Sequence, residues 1–413
     1  MPNFSIPLSG LDASSTALTT IANNLANMNT VGYKDQTTVF QDLFYQNIGS
    51  TGSGDPIQSG AGAGVQTIES NFTPGSPETT DVNTDVAIGG TGFFVVQQDG
   101  VQSYTRAGDF SEADDGTLIT SGGAEVLGYP AVNGQIVQTQ GLAPINVGSG
   151  YTSPPNATSS VQLTTNLNAG DNIGTSYNTS VNIYDSLGQT HSLNFQFTKT
   201  AAGAWNYSIT VPGADVGSAS PSVTVGSGSL TFDGNGNLTD PSANVTGLNI
   251  ASFADGASPL TFAWNLYGSG SSSSLTQVAS ADSTTATSQD GHASGSLQDF
   301  SIGSDGVVEG TFSNGKSMAL GQLVLASFPN EQGLVRQGND LFQPSLASGA
   351  AAVGAPGTGG LGTVTGGALE LSNVDIATEF SQLIMAQRGF EANARTITTF
   401  DQVMQDTINL KQA

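Results

Sequence analysis

Apolar positions at both ends of the chain follow a helical repeat, whereas the long middle alternates short apolar and polar runs. Near the N-terminus, five apolar residues recur at spacings of seven, three, four and three, with Ser14 in the remaining heptad position: Leu11, Leu18, Ile21, Leu25 and Met28. This spacing predicts one face of an amphipathic helix from about residue 5 to about residue 29. The run Asn27 to Asn29, followed by Gly32, supplies a stop.

The C-terminal end carries a longer apolar stripe with heptad spacing, interrupted by the polar residues Gln387 and Asp401. Ser372 and Asn373 are candidate N-caps, and Asp375 is favourably placed near the positive end of the helix dipole. The stripe consists of Phe380, Leu383, Phe390, Ala394, Ile397, Met404 and Ile408. We therefore predict that a helix within 372–413 pairs with the N-terminal helix as a coiled-coil base, and that both stripes are assembly contacts. The alternative is that each helix packs on its own globular core.

Strand signals are dense between the two ends. The stretch 85–130 alternates short apolar runs with turn signals at Asp99-Gly100 and Asp115-Gly116, and 294–328 does the same at Asp305-Gly306 and Asn314-Gly315. Such Asp-Gly and Asn-Gly pairs between alternating runs are typical of hairpins. The sequence thus predicts one inner β-domain made of two parts, 74–150 and 294–344.

The residues between those two parts, 151–293, are rich in Ser and Thr and predict an inserted outer domain, whether one β-domain or two. Its strand candidates are 180–184, 192–197, 205–211, 229–232 and 260–264. Residues 30–73, with Phe40, Phe44 and Tyr45 ahead of a Gly/Ser-rich stretch, are either a connecting segment or a plain surface loop. The Gly-rich stretch 345–371 is interpreted as a loose linker. The predicted fold class is mainly β with terminal α-helices.

Composition excludes several classes of function. The 413 residues include 54 glycines, only 10% charged residues and no cysteine, and the net charge of −25 arises from having only eight Lys and Arg. A nucleic-acid partner or an anionic membrane surface would need basic clusters that this chain lacks. The absence of cysteine excludes disulfides, thiolate metal sites and cysteine nucleophiles.

The N-terminus does not have the pattern of a secretory signal peptide, because its first basic residue is Lys34 and no continuous apolar core precedes it. No apolar run is long enough to span a bilayer. The chain is therefore either cytoplasmic or exported by a dedicated machine, and composition alone does not choose between the two.

No catalytic, cofactor-binding or metal site is predicted. His191 and His292 are far apart in sequence, and no G-x-S-x-G or H-E-x-x-H pattern is present. The stretch that begins at Asp233 imitates a calcium loop, but its sixth position is Leu238 instead of the required Gly. That stretch is interpreted as a β-turn.

The terminal sequences resemble a known family. The stretch SGLDASSTALTTIANNLANMNTVGYKDQ (9–36) resembles the N-terminal signature of bacterial flagellar rod and hook proteins, and its motif residues here are Asn24, Asn27, Thr30, Gly32, Tyr33 and Lys34. Residues 368–413, with the core AQRGFEANAR, resemble the matching C-terminal signature. DVAIGGTGFFVV and YTRAGDFSEADDGTLIT resemble the shared β-domain of the group. The large insert, which contains VNIYDSLGQTHSLNFQF, resembles the hook members instead of the shorter rod members.

The resemblance implies a structural subunit that polymerises into a bent hollow tube, a universal joint that transmits torque from rod to filament. It implies terminal helices innermost, contacts of 30–73 with neighbouring subunits, and no cofactor or enzymatic activity. The implied partners are further copies of the chain, the distal rod, hook cap and hook–filament junction proteins, and the flagellar type III export apparatus. The implied location is the flagellar hook and basal body, outside the cell after export without a cleaved signal peptide.

Two other functions stay open at this point. One is a distal rod protein with an unusual insert, and the other is a β-rich surface adhesin whose helices merely trimerise it. For a tube-forming subunit, the helices should be poorly ordered when free and should fold when neighbours bury their stripes, because an isolated helix pair is marginal in water.

Overall fold

The computed structural model describes residues 4–268 and 273–412. Residues 1–3 and 413, at the outer ends of the predicted helical segments, and residues 269–272 of the predicted insert lie outside the described residues. The chain forms two compact units, the first made of 1–148, 299–310 and 317–413, and the second of 149–298 and 311–316. No described helix has the length and apolar character needed to cross a membrane.

The part of the first unit that precedes the second unit in sequence begins with a long helix and continues as short strands. Its elements are α1 Ser5–Ala26, β1 Gln36–Asp42, β2 Gln46–Ser50, β3 Pro56–Ser59, β4 Ala63–Ser70, β5 Pro77–Thr79, β6 Val86–Gly89, β7 Phe93–Gln98, β8 Val101–Thr105, β9 Ser111–Glu112, β10 Leu118–Ile119, β11 Glu125–Val132, β12 Gln135–Ile136, the 3-10 helix η1 Gln138–Gln140 and β13 Ala143–Pro144.

The second unit consists of longer strands, and the chain then returns to the first unit and ends in a helix. The elements of the second unit are β14 Thr152–Ser153, β15 Ser160–Asn168, β16 Ser176–Tyr184, β17 Thr190–Ala201, β18 Ala204–Pro212, η2 Gly213–Val216, β19 Ser222–Phe232, β20 Leu238–Asp240, β21 Val245–Ile250, β22 Leu260–Asn265, β23 Leu275–Val278 and β24 Ser283–Gln289. The remaining elements are β25 Gly295–Ile302, β26 Val307–Phe312, β27 Ser317–Leu323, β28 Leu325–Ser327, η3 Glu331–Gly333, β29 Val335–Gly338, β30 Leu341–Gln343, β31 Ala352–Gly354, β32 Thr363–Gly366, β33 Ala368–Glu370 and α2 Ile376–Gln412.

The main sheet of the first unit combines strands from both predicted parts of the inner β-domain, in the order β27-β11-β7-β8-β30-β29. Strand β7 is buried on both faces because its first four residues are all large and apolar. On one face, the ring centroid of Phe93 lies 5.5 Å from those of both Phe72 and Phe342. On the other face, the ring centroids of Phe94 and Phe110 are 5.1 Å apart. Edge-to-face aromatic packing of this kind fixes the sheet between two apolar layers.

All four predicted hairpin turns are confirmed. Asp99 and Gly100 both have positive φ, 51° and 79°, as a two-residue hairpin turn between β7 and β8 requires. Gly116, Gly306 and Gly315 also have positive φ, at the turns that follow β9, β25 and β26. The predicted β-turn at 233–237 is present as well, between β19 and β20.

The prediction of a loose linker over 345–371 is wrong. This stretch forms three short strands, of which β31 pairs with β28, β32 with β6, and β33 with β5. Its glycines serve as turns and close contacts: a Cβ on Gly362 would lie 2.7 Å from the Gly89 carbonyl oxygen. Local composition did not reveal these strands because their partners lie far away in sequence.

The second unit contains two sheets that face each other across a single apolar core. One sheet has the order β16-β17-β18-β19-β20, and the other has β21-β22-β15-β23 with β24 on β15. Trp264 on β22 lies 5.2 Å from Phe195 on β17 and 5.1 Å from Tyr207 on β18, so the sheets meet at this side chain. The five strand candidates are confirmed, and the described residues of this region form one unit, not two.

The helix ends correct one detail of the sequence prediction. Helix α1 stops at Ala26, as the Asn-rich stretch predicts. Helix α2 begins at Ile376, and its N-cap is Asp375, whose Oδ1 accepts hydrogen bonds from the Ala377 and Thr378 amides. Ser372 and Asn373 are therefore not the caps, because they lie too far upstream of the first helical turn to reach its free amides.

Residues 36–70 form strands, so the surface-loop alternative for this part of the chain is wrong. Strand β1 pairs antiparallel with β4, and β2 pairs antiparallel with β3. The four strands therefore form an interrupted hairpin. Its β1 and β4 strands contact α1.

Candidate functional site at the terminal helices

The two terminal helices lie side by side and antiparallel. Phe4 and Phe400 meet edge to face with ring centroids 5.9 Å apart. A Cβ on Gly10 would lie 2.8 Å from the Asn393 side chain, and one on Gly389 would lie 3.4 Å from Ser14 Oγ. At the other end of the pair, Asn24 Nδ2 donates to Glu379 Oε1 at 3.1 Å. Small and polar side chains thus form much of the contact between the helices.

These contact positions lie beside the predicted apolar stripes. On α2, the contact positions 379, 389, 393 and 400 each lie one residue before a position of the predicted repeat, and one residue turns the helix by about 100°. On α1, positions 10 and 24 stand in the same relation to Leu11 and Leu25. Ser14 belongs to both sets.

Burial of the predicted assembly residues agrees with this offset. Among them, Ile21 alone is buried within the described chain. Half-buried residues are Leu11, Leu18, Leu25, Leu383, Phe390, Ile397 and Met404, whereas Met28, Phe380 and Ile408 are exposed. The single chain therefore leaves most of both stripes at least partly in contact with water.

Helix α2 carries a row of exposed apolar side chains, of which Phe380 alone belongs to the predicted repeat. Ile376, Phe380 and Ile384 lie four residues apart and so share one helix face, and Phe380 and Ile384 are each 52% exposed. Met385 beside them is 65% exposed. We call Ile376, Phe380 and Ile384 the α2 stripe. Exposed apolar side chains in such a row are a mark of an interaction surface.

Asn24 of the family motif is a buried link between α1, α2 and β1. Its side chain donates to the Gln36 carbonyl oxygen at 2.8 Å and accepts from the Gln36 amide at 3.0 Å. It also accepts from Tyr33 Oη at 3.2 Å. Burial raises the pKa of Glu379, which accepts from Asn24, and the nearby carboxylates of Asp35 and Asp375 add to that rise.

Asn27, Thr30 and Gly32 build the turn that leaves α1. Asn27 Nδ2 donates to the Asn23 carbonyl oxygen at 2.9 Å, and Thr30 Oγ1 donates to Asn27 Oδ1 at 3.1 Å. Gly32 has φ +69°, and its amide donates to the carbonyl oxygen of Glu370 at 2.8 Å. The motif therefore directs the chain from the helix to the C-terminal segment.

Gly32→Ala is expected to destabilise the first unit more than a matched glycine change. A Cβ at Gly32 would lie 2.6 Å from the Ala107 amide nitrogen, whereas Gly100 has a similar positive φ and nothing within 4 Å. Gly100→Ala should cost about 1–2 kcal/mol from the left-handed backbone alone. Gly32→Ala should cost about 1–3 kcal/mol more, because backbone atoms must move. Urea unfolding measures both, and equal losses would contradict the close approach.

Lys34 enters a buried ionic cluster with Glu370 and Arg106. Lys34 Nζ lies 2.7 Å from Glu370 Oε1 and donates to the Thr73 carbonyl oxygen at 2.8 Å. Arg106 holds the same carboxylate with two hydrogen bonds of 3.0 Å, and the Gly75 amide donates to it at 2.8 Å. All three charged side chains are at most 2% exposed. We call these three residues the ionic triad.

The ionic triad joins distant parts of the chain around one anion. Burial lowers the pKa of Lys34, the positive charge of Arg106 lowers it further, and Glu370 partly restores it. The triad holds two cations against one carboxylate, so Glu370 is the group on which the other two depend. Buried charges are tolerated only when they are paired and hydrogen-bonded in this way.

Sequence reasoning singled out Lys34 but missed its partners. Arg336 also belongs to the junction: its guanidinium donates to the Lys34 carbonyl oxygen at 2.7 Å and lies 5.3 Å from the Tyr33 ring. Asn373 joins the same place by accepting from the Asp35 amide at 2.8 Å. One signal was available: the chain has only eight Lys and Arg, and Arg106 lies inside a strand-rich apolar stretch.

The segment 36–70 adds exposed apolar side chains near the helices. Phe44 is 94% exposed, and Tyr45, Ile48 and Ile57 are exposed beside it. Phe40, also exposed, lines a groove of about 450 Å³ together with residues of α1 and α2, among them Ile21 and Met385. The first unit thus offers both a groove and projecting apolar groups.

One group in the described residues could hold a metal ion. It consists of Asp185, His191 and Asp255 in the second unit, whose ligand atoms lie within 4.8 Å of one another. His292 is not part of it and instead has Nδ1 3.1 Å from the Ala293 carbonyl oxygen.

Family models match successive parts of the chain. The model of the flagella basal body rod protein matches 6–34, and that of the flagellar hook protein FlgE/F/G D1 domain matches 87–165. The model of the flagellar basal body protein FlaE D2 domain matches 153–292, and that of the flagellar basal body rod FlgEFG protein C-terminal matches 365–410. Lys34, Arg106 and Glu370 thus come from three different matched regions.

Similar proteins extend over the whole chain. The flagellar hook protein FlgE of Escherichia coli is 36% identical over 428 residues, which cover 99% of this chain and 100% of that protein. The flagellar hook protein FlgE of Treponema pallidum is 34% identical over 459 residues, or 98% of each. The crystal structure of Helicobacter pylori flagellar hook protein FlgE2 covers 70% of this chain and 98% of that one, with 15% identity and a TM-score of 0.49.

Proposed function

Because this chain belongs to the flagellar hook protein family and is a structural subunit of the hook, we propose that it polymerises with copies of itself into a bent hollow tube that transmits torque as a universal joint. The observation that carries this proposal is the row of exposed apolar side chains on the terminal helices, above all the α2 stripe. A chain that buries its helix contact through small and polar residues leaves its apolar faces for neighbouring copies.

The predicted assembly residues are proposed to fill this role together. Leu11, Leu18 and Leu25 flank the contact on α1, and Phe390 and Ile397 flank it on α2, all of them half-buried in the single chain. When a neighbouring copy covers the remaining surface of half-buried leucine and phenylalanine side chains, the contact is stabilised by about 25 cal/mol for each Å² of apolar area buried. This gain supports a polymer whose core consists of terminal helices.

The segment 36–70 is proposed as a second contact between copies. Its projecting side chains, Phe44 and Ile48, and the groove that includes Met385 are different surfaces of one chain. A contact between two different surfaces propagates from copy to copy and builds a ring or an open filament, whereas a self-complementary contact closes as a dimer. The presence of both kinds of surface favours a filament subunit.

Export and the neighbouring flagellar proteins complete the proposal. We propose that the flagellar type III apparatus exports the chain without cleavage of a signal peptide, and that the mature hook contacts the distal rod, hook cap and hook–filament junction proteins. The role is structural and not catalytic. The C-terminal half of α2 supports assembly-coupled folding, because its residues 401–410 are exposed except for the half-buried Met404.

Electron microscopy of the polymerised, purified protein tests the proposal. Bent hollow tubes are expected. Straight tubes would favour a distal rod protein with an insert, and discrete oligomers would favour a surface adhesin.

Deletion of 151–293 is expected to leave tubes that form but lose regular curvature. The first unit, which includes both helices, remains in this variant, whereas most of the Ser- and Thr-rich second unit is lost. Images of full-length and shortened tubes, prepared in parallel, measure the curvature. A circular dichroism spectrum of the shortened monomer serves as the folding control. Complete failure of a folded, shortened chain to form tubes would contradict this division of labour.

A further inference from the structure

His191 in the second unit lies between carboxylates on both sides of its ring. Its Nε2 is 2.9 Å from Asp185 Oδ2, and its Nδ1 is 3.2 Å from Asp215 Oδ2. Asp255 completes the group, with a carboxylate oxygen within 4.8 Å of the Asp185 and His191 ligand atoms. Asp185 is fully buried and His191 is 6% exposed, so both are held away from bulk water.

Separate elements hold these side chains in place. Asp185 directly follows β16, and its Oδ1 accepts from the Leu187 and Gln189 amides, which leaves Oδ2 directed at His191. His191 is on β17, and its ring lies against the Phe253 ring with centroids 4.5 Å apart. Asp215 belongs to η2, and its carbonyl oxygen accepts from the Ala254 amide, next to Asp255.

The group places three carboxyl groups around one imidazole ring. In the described residues, the ion pairs of Asp185 and Asp215 are both with His191, and neither involves Lys or Arg.

We propose that Asp185 Oδ2, His191 Nε2 and the Asp255 carboxylate bind a divalent transition-metal ion such as Zn²⁺. Asp215 would orient the ring by accepting from Nδ1–H, the arrangement in which a carboxylate holds a metal-ligating histidine. One imidazole nitrogen with two carboxylate oxygens suits Zn²⁺ or Co²⁺, whereas Ca²⁺ and Mg²⁺ prefer oxygen ligands alone.

A metal at this place would tie together elements that are separate in sequence. The β16–β17 turn supplies Asp185, β17 supplies His191, and the stretch between β21 and β22 supplies Asp255. Binding to the folded state alone stabilises it in proportion to the logarithm of the metal concentration. The second unit would therefore become more stable and stiffer at this end of the sandwich when metal is present.

The test uses the full-length chain, stripped with a chelator and titrated calorimetrically with ZnCl₂ at pH 7.5. We expect one Zn²⁺ per chain and a higher melting temperature. His191→Gln and Asp255→Asn should each abolish the saturable binding. Asp215→Asn should weaken binding by about 10- to 100-fold. His292→Gln, which changes the other histidine of the same unit, should leave it intact.

Co²⁺ provides a second, spectroscopic measurement, because its visible absorption reports ligand geometry. Asp255 is exposed, so Asp255→Asn keeps the test valid if His191→Gln fails to fold. Absence of saturable Zn²⁺ binding to the wild-type chain up to millimolar concentration would overturn the proposal. Zn²⁺ binding that persists unchanged in folded Asp255→Asn, or in folded His191→Gln, would overturn it as well.

Discussion

A double variant, Phe380→Gln with Ile384→Gln, is expected to remain folded as a monomer and to lose polymerisation at concentrations where the wild-type chain forms tubes. Both side chains are 52% exposed, so the single chain depends on them little. Gln has a higher helix propensity than the Phe and Ile that it replaces. Exposed substitutions usually change stability by about 0.5 kcal/mol or less. The free energy of unfolding of the monomer should therefore change little.

The polymer should respond far more strongly, because it is proposed to bury both side chains. Covering half of a phenylalanine and half of an isoleucine contributes about 2–4 kcal/mol once the cost of burying two amides is included. That loss raises the critical concentration by about 30- to 1,000-fold. Sedimentation of polymer from monomer over a concentration series measures it.

The matched control changes two exposed apolar residues of the second unit, Ile173→Gln with Val278→Gln. These lie within the segment whose deletion should still permit tubes, so the critical concentration should stay near that of the wild type. A wild-type critical concentration for the Phe380 and Ile384 variant would contradict the proposed role of the α2 stripe.

Glu370→Gln is expected to cost at least about 3–5 kcal/mol of unfolding free energy in the first unit, enough to unfold a marginal domain. The change leaves Lys34 and Arg106 as two buried cations without a counterion. Lys34→Met should cost less, because Arg106 and Glu370 then remain as a neutral pair with two hydrogen bonds. Urea unfolding, followed by a signal from the first unit, compares the two variants.

The loss in Glu370→Gln should shrink at high pH. Burial already lowers the pKa of Lys34 below its usual 10.5, and removal of Glu370 lowers it further. In the Glu370→Gln variant, the unfolded chain then binds more protons than the folded chain between that lowered pKa of Lys34 and 10.5. The unfolding free energy of the variant therefore rises with pH in this window. Glu309→Gln, an exposed change in the same unit, is the control and should shift stability by about 0.5 kcal/mol or less. A larger loss in Lys34→Met than in Glu370→Gln would contradict the charge balance of the triad.

Local sequence patterns predicted the elements whose signals are local. The heptad spacing identified α1 and α2, and the Asp-Gly and Asn-Gly pairs identified hairpins, because both depend on residues that lie within a few positions of each other. The strands of 345–371 were missed because each has only three or four residues and pairs with a strand far away in sequence. A stretch whose glycines make close contacts has the same composition as a flexible Gly-rich linker.

The candidate site was predictable only in part for the same reason. Lys34 and Asn24 stood out through the family motif, but Glu370 gave no signal of its own, since its role depends on two cations from other parts of the chain. The relation between the helices was also out of reach: periodicity finds an apolar stripe but does not say which neighbouring face meets the partner helix. The structure shows that small and polar residues make part of this contact, one position away from the repeat.

The ionic triad also sets an order of events for a chain that emerges with its N-terminus first. Lys34 and Arg106 appear early, and Glu370 appears only when most of the chain is already out. Burial of Lys34 and Arg106 without the Glu370 carboxylate is unfavourable, so the junction does not form before Glu370 has emerged. The last strand, which contains Glu370, emerges shortly before the last helix. The junction around the ionic triad therefore forms only after nearly the whole chain has emerged.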